Sequence, residues 1–298
     1  MTIPTPGERA TKSQKREHAR ELARVTREAD RKKKLRRRWI TQGSIAVAVL
    51  AVAAIAVFAI TSNNNVAATT AAGPLNMQSD GIVFTGTDGA ATAVTTPALK
   101  AGADPVATSA DSDASVAKIV TYIDYQCPYC KQFEDTNLTQ IEAMVAAGTA
   151  TLEVHPISIL DNSSLGTKYS TRSANAAACV ANYEPDKFLA VSAALFANQP
   201  EEGTSGLKNS ALQSLVSDAG ATNSKIASCI TDGTYGAFNK WVTAATARAL
   251  AGPLPNTTVA AVSSTPTVLV NGAQYSGSLT DPTVFSAFVT AQVAAAKG

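Results

Sequence analysis

The sequence predicts an α/β protein in which a strand-and-helix framework carries a long helical insertion. Residues 117–124 are a short run of β-branched and aromatic residues, the pattern of a buried strand, and apolar residues recur at helical spacing directly after it. Near the carboxyl terminus, residues 265–270 form a second such run. The hairpin signal Asn271-Gly272 follows it, and a last helix begins at Asp281-Pro282, with the aspartate as its cap.

The other elements follow from the same kinds of pattern. Residues 82–84 predict a short first strand, and the Ala, Thr, Asp and Gly-rich residues 86–114 predict an irregular surface segment. Residues 151–159 predict a strand that Pro156 breaks. Residues 163–252 are Ala-rich with helical periodicity and predict four or five helices. The predicted order is therefore strand, helix, strand, helical block, strand, strand, helix.

The charge is distributed unevenly along the 298 residues. The formal net charge is +2, but residues 1–38 hold 14 of the 25 Lys and Arg residues and 5 of the 23 acidic ones. The chain after residue 38 therefore has 11 basic and 18 acidic side chains. A nucleic-acid partner would need basic residues on the folded domain, so this class of function is excluded.

An apolar run follows the basic tail. Every residue from Ile45 to Ile60 is Ala, Val, Leu, Ile or Phe, and residues 39–61 contain no ionisable group. This length is close to the roughly 20 residues that span a bilayer, so residues 39–61 predict a transmembrane anchor in contact with lipid. A core helix is a weaker interpretation, because this run is apolar on every face. A cleaved signal peptide stays open, since small residues at 67–68 and 71–72 would permit cleavage.

The cations before the apolar run predict its orientation. Lys and Arg resist translocation, so residues 1–38 are expected to be a cytoplasmic tail and residues 62–298 to lie outside the cytoplasm. Residues 62–80 are rich in Asn, Ala, Thr and Gly, which predicts a flexible linker. The protein is thus expected to be a single-pass membrane protein with its folded domain on the extracytoplasmic side.

The sequence Cys127-Pro128-Tyr129-Cys130 lies where the buried strand meets the following helix. This spacing puts Cys127 at the helix amino terminus, where free N–H groups and the helix dipole favour a thiolate. We expect Cys127, as the more exposed sulfur, to be the nucleophile and Cys130 to resolve the mixed disulfide. Pro128 and Tyr129 shape the turn and the field at the sulfur. Asp124 either tunes Cys130 or is a surface carboxylate.

Three other interpretations of the cysteine pair compete with this one. A structural zinc site needs further ligands, but there is no second CxxC, and the histidines are His18 and His155. A purely structural disulfide across so short a loop constrains little chain. A redox-inert relic of the fold is the third. No metal and no cofactor is expected.

The run Tyr122–Cys130, together with Thr265–Gly272, resembles the DsbA-like thioredoxin family, in particular its membrane-anchored actinobacterial members. Residues 195–203 resemble that group as well, and the likeness covers about residues 76–298. It implies a thioredoxin-like domain, residues 81–162 and 253–298, with an α-helical domain inserted at 163–252. It also implies a cis proline at Pro266, with Thr265 and Pro266 forming the loop that faces the substrate.

Two further cysteines, Cys179 and Cys229, fall in separate predicted helices. In an oxidising compartment an even number of cysteines favours pairing, so a structural disulfide is expected. The alternative is a pair of buried free thiols.

The resemblance implies exchange of disulfides with exported cysteine-containing proteins. The first hypothesis is an oxidase that a quinone-linked membrane partner of the VKOR or DsbB type reoxidises. The second is a disulfide reductase or isomerase that receives electrons across the membrane, since the best-known oxidants of the family have His in the dipeptide, whereas this chain has Pro128-Tyr129. The third is a non-enzymatic binding or chaperone module.

Overall fold

The computed structural model describes residues 71–108 and 113–298. The predicted cytoplasmic tail 1–38, the anchor 39–61 and the first part of the linker, residues 62–70, lie outside the described residues and stay predictions. Among the helices of the described ranges, none has the length and apolar character needed to cross a membrane.

A six-stranded mixed sheet forms the centre of the domain. Its strands are β1 (Ile82–Thr87), β2 (Ala90–Ala93), β3 (Ala117–Ile123), β4 (Ala150–Pro156), β5 (Thr267–Val270) and β6 (Ala273–Gln274), in the spatial order β2-β1-β4-β3-β5-β6. Strands β3 and β4 pair in parallel, and the other neighbouring pairs are antiparallel. The strands predicted at 82–84, 117–124, 151–159 and 265–270 correspond to β1, β3, β4 and β5. Residues 157–159 and 265–266 of the predicted strands lie outside the observed ones.

The helices occupy the predicted places in the chain. Helix α1 (Pro128–Ala146) follows β3, and α7 (Pro282–Lys297) ends the chain. Between β4 and β5, a stretch described throughout, lie five α-helices, which we call the helical segment: α2 (Tyr169–Tyr183), α3 (Phe188–Ala197), α4 (Asn209–Asp218), α5 (Ser224–Thr231) and α6 (Asn239–Ala251). The predicted α/β fold of mixed sheet and helices is confirmed.

The side chains of the central strands alternate between two apolar clusters. Ile119 and Ile123 of β3 lie in the main core, whereas Tyr122, between them in sequence, lies in a second cluster with Leu254 and Leu269. This alternation is the period of two that a strand imposes. Burial on both faces explains why residues 117–124 are a nearly continuous run of β-branched and aromatic residues.

Two parts of the chain differ from the sequence prediction. Strand β2 lies in the segment predicted to be irregular, where Asp88 and Gly89 adopt φ of 52° and 77° in the hairpin turn. The last part of the predicted flexible linker packs against the domain: Met77 is fully buried, and Asp80 accepts hydrogen bonds from Arg248 Nε at 2.6 Å and Nη2 at 2.8 Å. The ordered domain therefore begins before residue 81.

Candidate active site

The cysteine motif lies at the junction of β3 and α1. Cys127 is the residue that precedes the helix, with φ −78° and ψ 118°, and Pro128 is the first helical residue. A proline is favoured there because its missing N–H would have no partner within the helix. Both cysteines of the motif are free thiols in the structure.

The exposure of the two sulfur-bearing residues is smaller than expected. Cys127 is 4% exposed and Cys130 is fully buried, whereas Tyr129 between them is 59% exposed. The expected order of exposure is therefore found, but the difference is slight.

Among the described residues, no group of three or more His, Cys, Asp and Glu side chains is placed to hold a metal ion.

The surroundings of Cys127 favour its thiolate. The pKa of Cys127 is lowered to about 6, mainly because the Cys130 thiol donates a hydrogen bond to it, with further contributions from the Thr265 side chain and the N–H groups of Cys130 and Tyr129. Burial opposes this shift by penalising the charged form. Cys127 is therefore largely ionised at neutral pH, which is the reactive form of a thiol.

Cys130 has the opposite tendency. Burial raises its pKa well above the ordinary value, and the hydrogen bond to Cys127 and the charge of that residue add to the effect. The backbone N–H of Asp124 approaches Cys130 Sγ at 3.5 Å. The pair is therefore asymmetric: the Cys127 sulfur carries charge and can attack, whereas Cys130 stays protonated at neutral pH.

The Thr265–Pro266 loop lies against the reactive sulfur. Thr267 of β5 pairs with Tyr122 of β3, which brings the preceding loop to the end of β3 where the motif begins. The Cys127 thiol donates a hydrogen bond to the Thr265 carbonyl oxygen at 3.2 Å. The Thr265–Pro266 peptide bond is cis. The structure thus brings all six residues predicted for the site, 127–130 and 265–266, together.

Asp124 is buried beneath the motif, so the surface-carboxylate interpretation is wrong. Its side chain is fully enclosed, and it accepts hydrogen bonds from Gln126 N at 2.8 Å and Leu160 N at 2.9 Å. Burial is the main cause that raises the pKa of Asp124 to about 7, and these two N–H donors offset part of it. An acid of this pKa can hold or release a proton near neutral pH, close to Cys130.

Several contacts between the motif and the helical segment were not predicted. Gln199 Nε2 donates to the carbonyl oxygens of Tyr125 at 3.0 Å and Cys127 at 2.9 Å, and Lys131 Nζ donates to Phe196 O at 2.9 Å. Gln126 Nε2 donates to Ser163 O at 3.2 Å. The resemblance of residues 195–203 was the one sequence signal that pointed to this region.

Cys179 of α2 and Cys229 of α5 form a disulfide, with 5.9 Å between their Cα atoms. The bridge lies within the helical segment and joins two residues that are 50 positions apart in sequence. It is a covalent crosslink of that segment and is separate from the Cys127–Cys130 pair.

An ionised cysteine at a helix amino terminus, a buried second thiol one turn later and an adjacent cis-proline loop define a thiol–disulfide oxidoreductase. The sequence matches the family model described as Thioredoxin over residues 109–290, which is more than half of the chain. The chain therefore belongs to the thioredoxin family, as its resemblance to that family implied.

Solved structures that are similar to this chain include proteins of the DsbA type. Oxidised DsbA of Mycobacterium tuberculosis is 27% identical over 71% of this chain and 92% of its own, with a TM-score of 0.51. The reduced form of that DsbA is 25% identical over 73% and 97% of the two chains, also with a TM-score of 0.51. Reduced DsbG of the same organism is 29% identical over 61% and 85%, with a TM-score of 0.48. None of the curated proteins compared matches the chain in sequence.

Proposed function

We propose that this chain is a membrane-anchored oxidase that forms disulfide bonds in exported proteins outside the cytoplasm. The observation that carries the proposal is the asymmetry of the cysteine pair, in which the pKa of Cys127 is lowered to about 6 and that of Cys130 is raised. A stabilised thiolate favours the reduced protein over its disulfide, so the disulfide becomes a better oxidant.

The reaction begins with the Cys127–Cys130 disulfide. A substrate thiolate attacks Cys127 Sγ, a mixed disulfide forms there, and Cys130 leaves with the electron pair and takes up a proton. A second thiolate of the substrate then attacks the substrate sulfur of the mixed disulfide and releases Cys127. The low pKa of Cys127 makes it a good leaving group in this second step. The substrate loses two electrons, and the protein ends as the thiolate of Cys127 and the thiol of Cys130.

Reoxidation needs a partner that accepts two electrons. We assign this role to a quinone-linked membrane protein of the VKOR or DsbB type. The anchor at residues 39–61 would keep the domain at the membrane surface, where this partner can reach it. The apolar run Ile45–Ile60 and the cations that precede it support the anchor and its orientation. Reporter fusions after residue 70 would test the topology, and activity of a cytoplasmic reporter at that position would contradict it.

An equilibrium redox titration against glutathione tests the oxidase assignment. Known proteins of this kind span reduction potentials from roughly −270 mV for thioredoxin to roughly −120 mV for DsbA. We expect a potential nearer to the second value, together with oxidation of a reduced, unfolded protein that contains cysteines. A potential nearer to the first value would favour the reductase or isomerase. Full function of the Cys127→Ser variant in cells would favour the non-enzymatic module.

A further inference from the structure

Gln199 connects the helical segment to the backbone of the reactive cysteine. It lies just after α3 and is half-buried, and its side-chain Nε2 donates to two backbone carbonyls of the motif turn, those of Tyr125 and Cys127. One amide group thus holds the Tyr125–Gln126 and the Cys127–Pro128 peptide units. No step of the proposed oxidase reaction uses Gln199, because its amide bonds to these two backbone carbonyls rather than to a sulfur.

The element that presents Gln199 is itself fixed against the same turn. The Tyr125 ring packs on Phe196 of α3 with 5.0 Å between ring centroids, and the Tyr125 hydroxyl donates to Ser192 Oγ at 3.1 Å. Lys131, in the first turn of α1, donates to the Phe196 carbonyl. These contacts fix the position of α3 relative to residues 125–131, so the Gln199 amide is held next to the carbonyls of the motif turn.

The backbone conformation of Cys127 sets the position of α1 relative to the reactive sulfur, and Gln199 bonds to the carbonyl of this residue. The ψ angle of Cys127, 118°, determines both where its carbonyl oxygen points and where the following N–H groups lie relative to its own side chain. The N–H groups of Tyr129 and Cys130 are among those that favour the thiolate. Rotation of ψ would turn these donors away from the sulfur. The Cys127 carbonyl accepts from Lys131 N at 3.2 Å and from Gln199 Nε2 at 2.9 Å, and both bonds oppose that rotation.

We propose that Gln199 is a positioning residue: its side-chain amide fixes the carbonyl of Cys127 and thereby the alignment of the α1 N–H donors with the attacking sulfur. The helical segment thus acts on the reactivity of the motif as well as covering it. The inference rests on the proposed function only in taking Cys127 as the attacking sulfur. It holds equally for an oxidase and for a reductase.

The test compares two glutamine variants in the reduced full-length protein. Gln199→Leu keeps the approximate volume and removes the donor. Gln213→Leu is the matched control, because Gln213 Nε2 donates to a backbone carbonyl, that of Ala227, at 2.7 Å within the helical segment and away from the motif. The measurement is the pH dependence of the rate at which iodoacetamide alkylates Cys127.

We expect the alkylation midpoint of Gln199→Leu to rise by about one pH unit, so that the thiolate population at low pH falls about tenfold, since one pKa unit is a tenfold change in the ionisation constant. Gln213→Leu should titrate like the wild type. A wild-type profile in a folded Gln199→Leu protein would overturn the proposal. Should that variant fail to fold, Gln199→Asn, which keeps the amide on a shorter side chain, must shift the midpoint in the same direction or the proposal is wrong.

This measurement separates the inference from the proposed function. An unchanged profile in Gln199→Leu with an oxidising potential in the wild type would reject only the role of Gln199. A shifted profile with a potential near that of thioredoxin would reject only the oxidase.

Discussion

Cys127 Sγ lies 3.2 Å from the carbonyl oxygen of Thr265, a residue 138 positions later in the chain. This carbonyl accepts a hydrogen bond from the Cys127 thiol, whereas other neighbours favour the thiolate. The pKa of Cys127 is lowered to about 6 because the hydrogen bond from the Cys130 thiol, followed by those from the Thr265 side chain and the N–H groups of α1, outweighs the effect of burial. The antiparallel pairing of β3 with β5 makes this meeting possible, because it places residue 265 beside the end of β3.

The Thr265 side chain contributes to the low pKa of Cys127. A hydrogen bond from this side chain to the sulfur lowers the pKa. The Thr265→Val variant keeps the shape and removes the hydroxyl, so we expect the midpoint of thiolate formation to rise. Thiolate absorbance at 240 nm against pH measures it. Thr243→Val is the control, since the Thr243 hydroxyl is exposed and donates to Asn239 O. Equal midpoints in the two variants would contradict the prediction.

Asp124 should matter for the proton of Cys130. Its pKa of about 7 allows it to exchange a proton near neutral pH, whereas the Cys130 thiol ionises only well above its ordinary pKa. We expect Asp124→Asn to slow the closure of the Cys127–Cys130 disulfide by oxidised glutathione about tenfold at pH 7. This effect is smaller than the roughly 10²–10⁴-fold that general acid–base catalysis typically contributes. Stopped-flow kinetics measure it. Closure at the wild-type rate would show that solvent, and not Asp124, takes the proton.

Glu134 is buried on α1 and should lower stability at alkaline pH. Burial raises its pKa to about 8, helped by Glu142 and Asp135. Between the ordinary pKa of 4.5 and about 8 the folded state binds this proton more tightly than the unfolded state, so stability falls as pH rises through that range. Above it, Glu134→Gln should be more stable than the wild type by on the order of 2–4 kcal/mol.

The measurement for Glu134 is urea unfolding of the oxidised protein at pH 4 and pH 9, because the cysteines of that form do not titrate. At pH 4 the Gln variant should have nearly the stability of the wild type. Glu201→Gln, on an exposed loop, is the control. An equal effect of Glu134→Gln at both pH values would mean that packing, not ionisation, causes the difference.

The Cys179–Cys229 bridge should stabilise the fold without taking part in turnover. Closing a loop of 50 residues removes chain entropy from the unfolded state worth about 4 kcal/mol at most. The Cys179→Ser, Cys229→Ser double variant should therefore unfold at a lower urea concentration and keep the alkylation rate of Cys127. A large change in that rate would show that the bridge also sets the geometry of the motif.

Local sequence patterns predicted the parts of the site that depend on local geometry. The strand before the motif and the helix start at Pro128 are of this kind, and so, outside the site, is the cap of α7. Asp281 accepts a hydrogen bond from Thr283 N at 3.0 Å, as its position before Pro282 indicated. The resemblance to the family added the cis bond before Pro266, which composition alone does not determine.

The contacts that the sequence did not predict join residues far apart in the chain. Gln199 reaches the Cys127 carbonyl across 72 positions, and a single half-buried glutamine carries no periodic signal. Strand β2 is the exception, because it pairs with β1, its neighbour in the chain. It is an Ala and Thr segment with little intrinsic strand preference, and this pairing fixes its conformation. The position of Asp80 likewise depends on Arg248, which lies 168 positions away in the chain.

The central claim is that Cys127 is ionised at neutral pH. The most direct test is the pH dependence of iodoacetamide alkylation of Cys127 in the reduced protein. The account predicts a midpoint at about 6. A midpoint near 8.5, the value of an ordinary peptide thiol, would contradict it and remove the physical basis of the oxidase assignment.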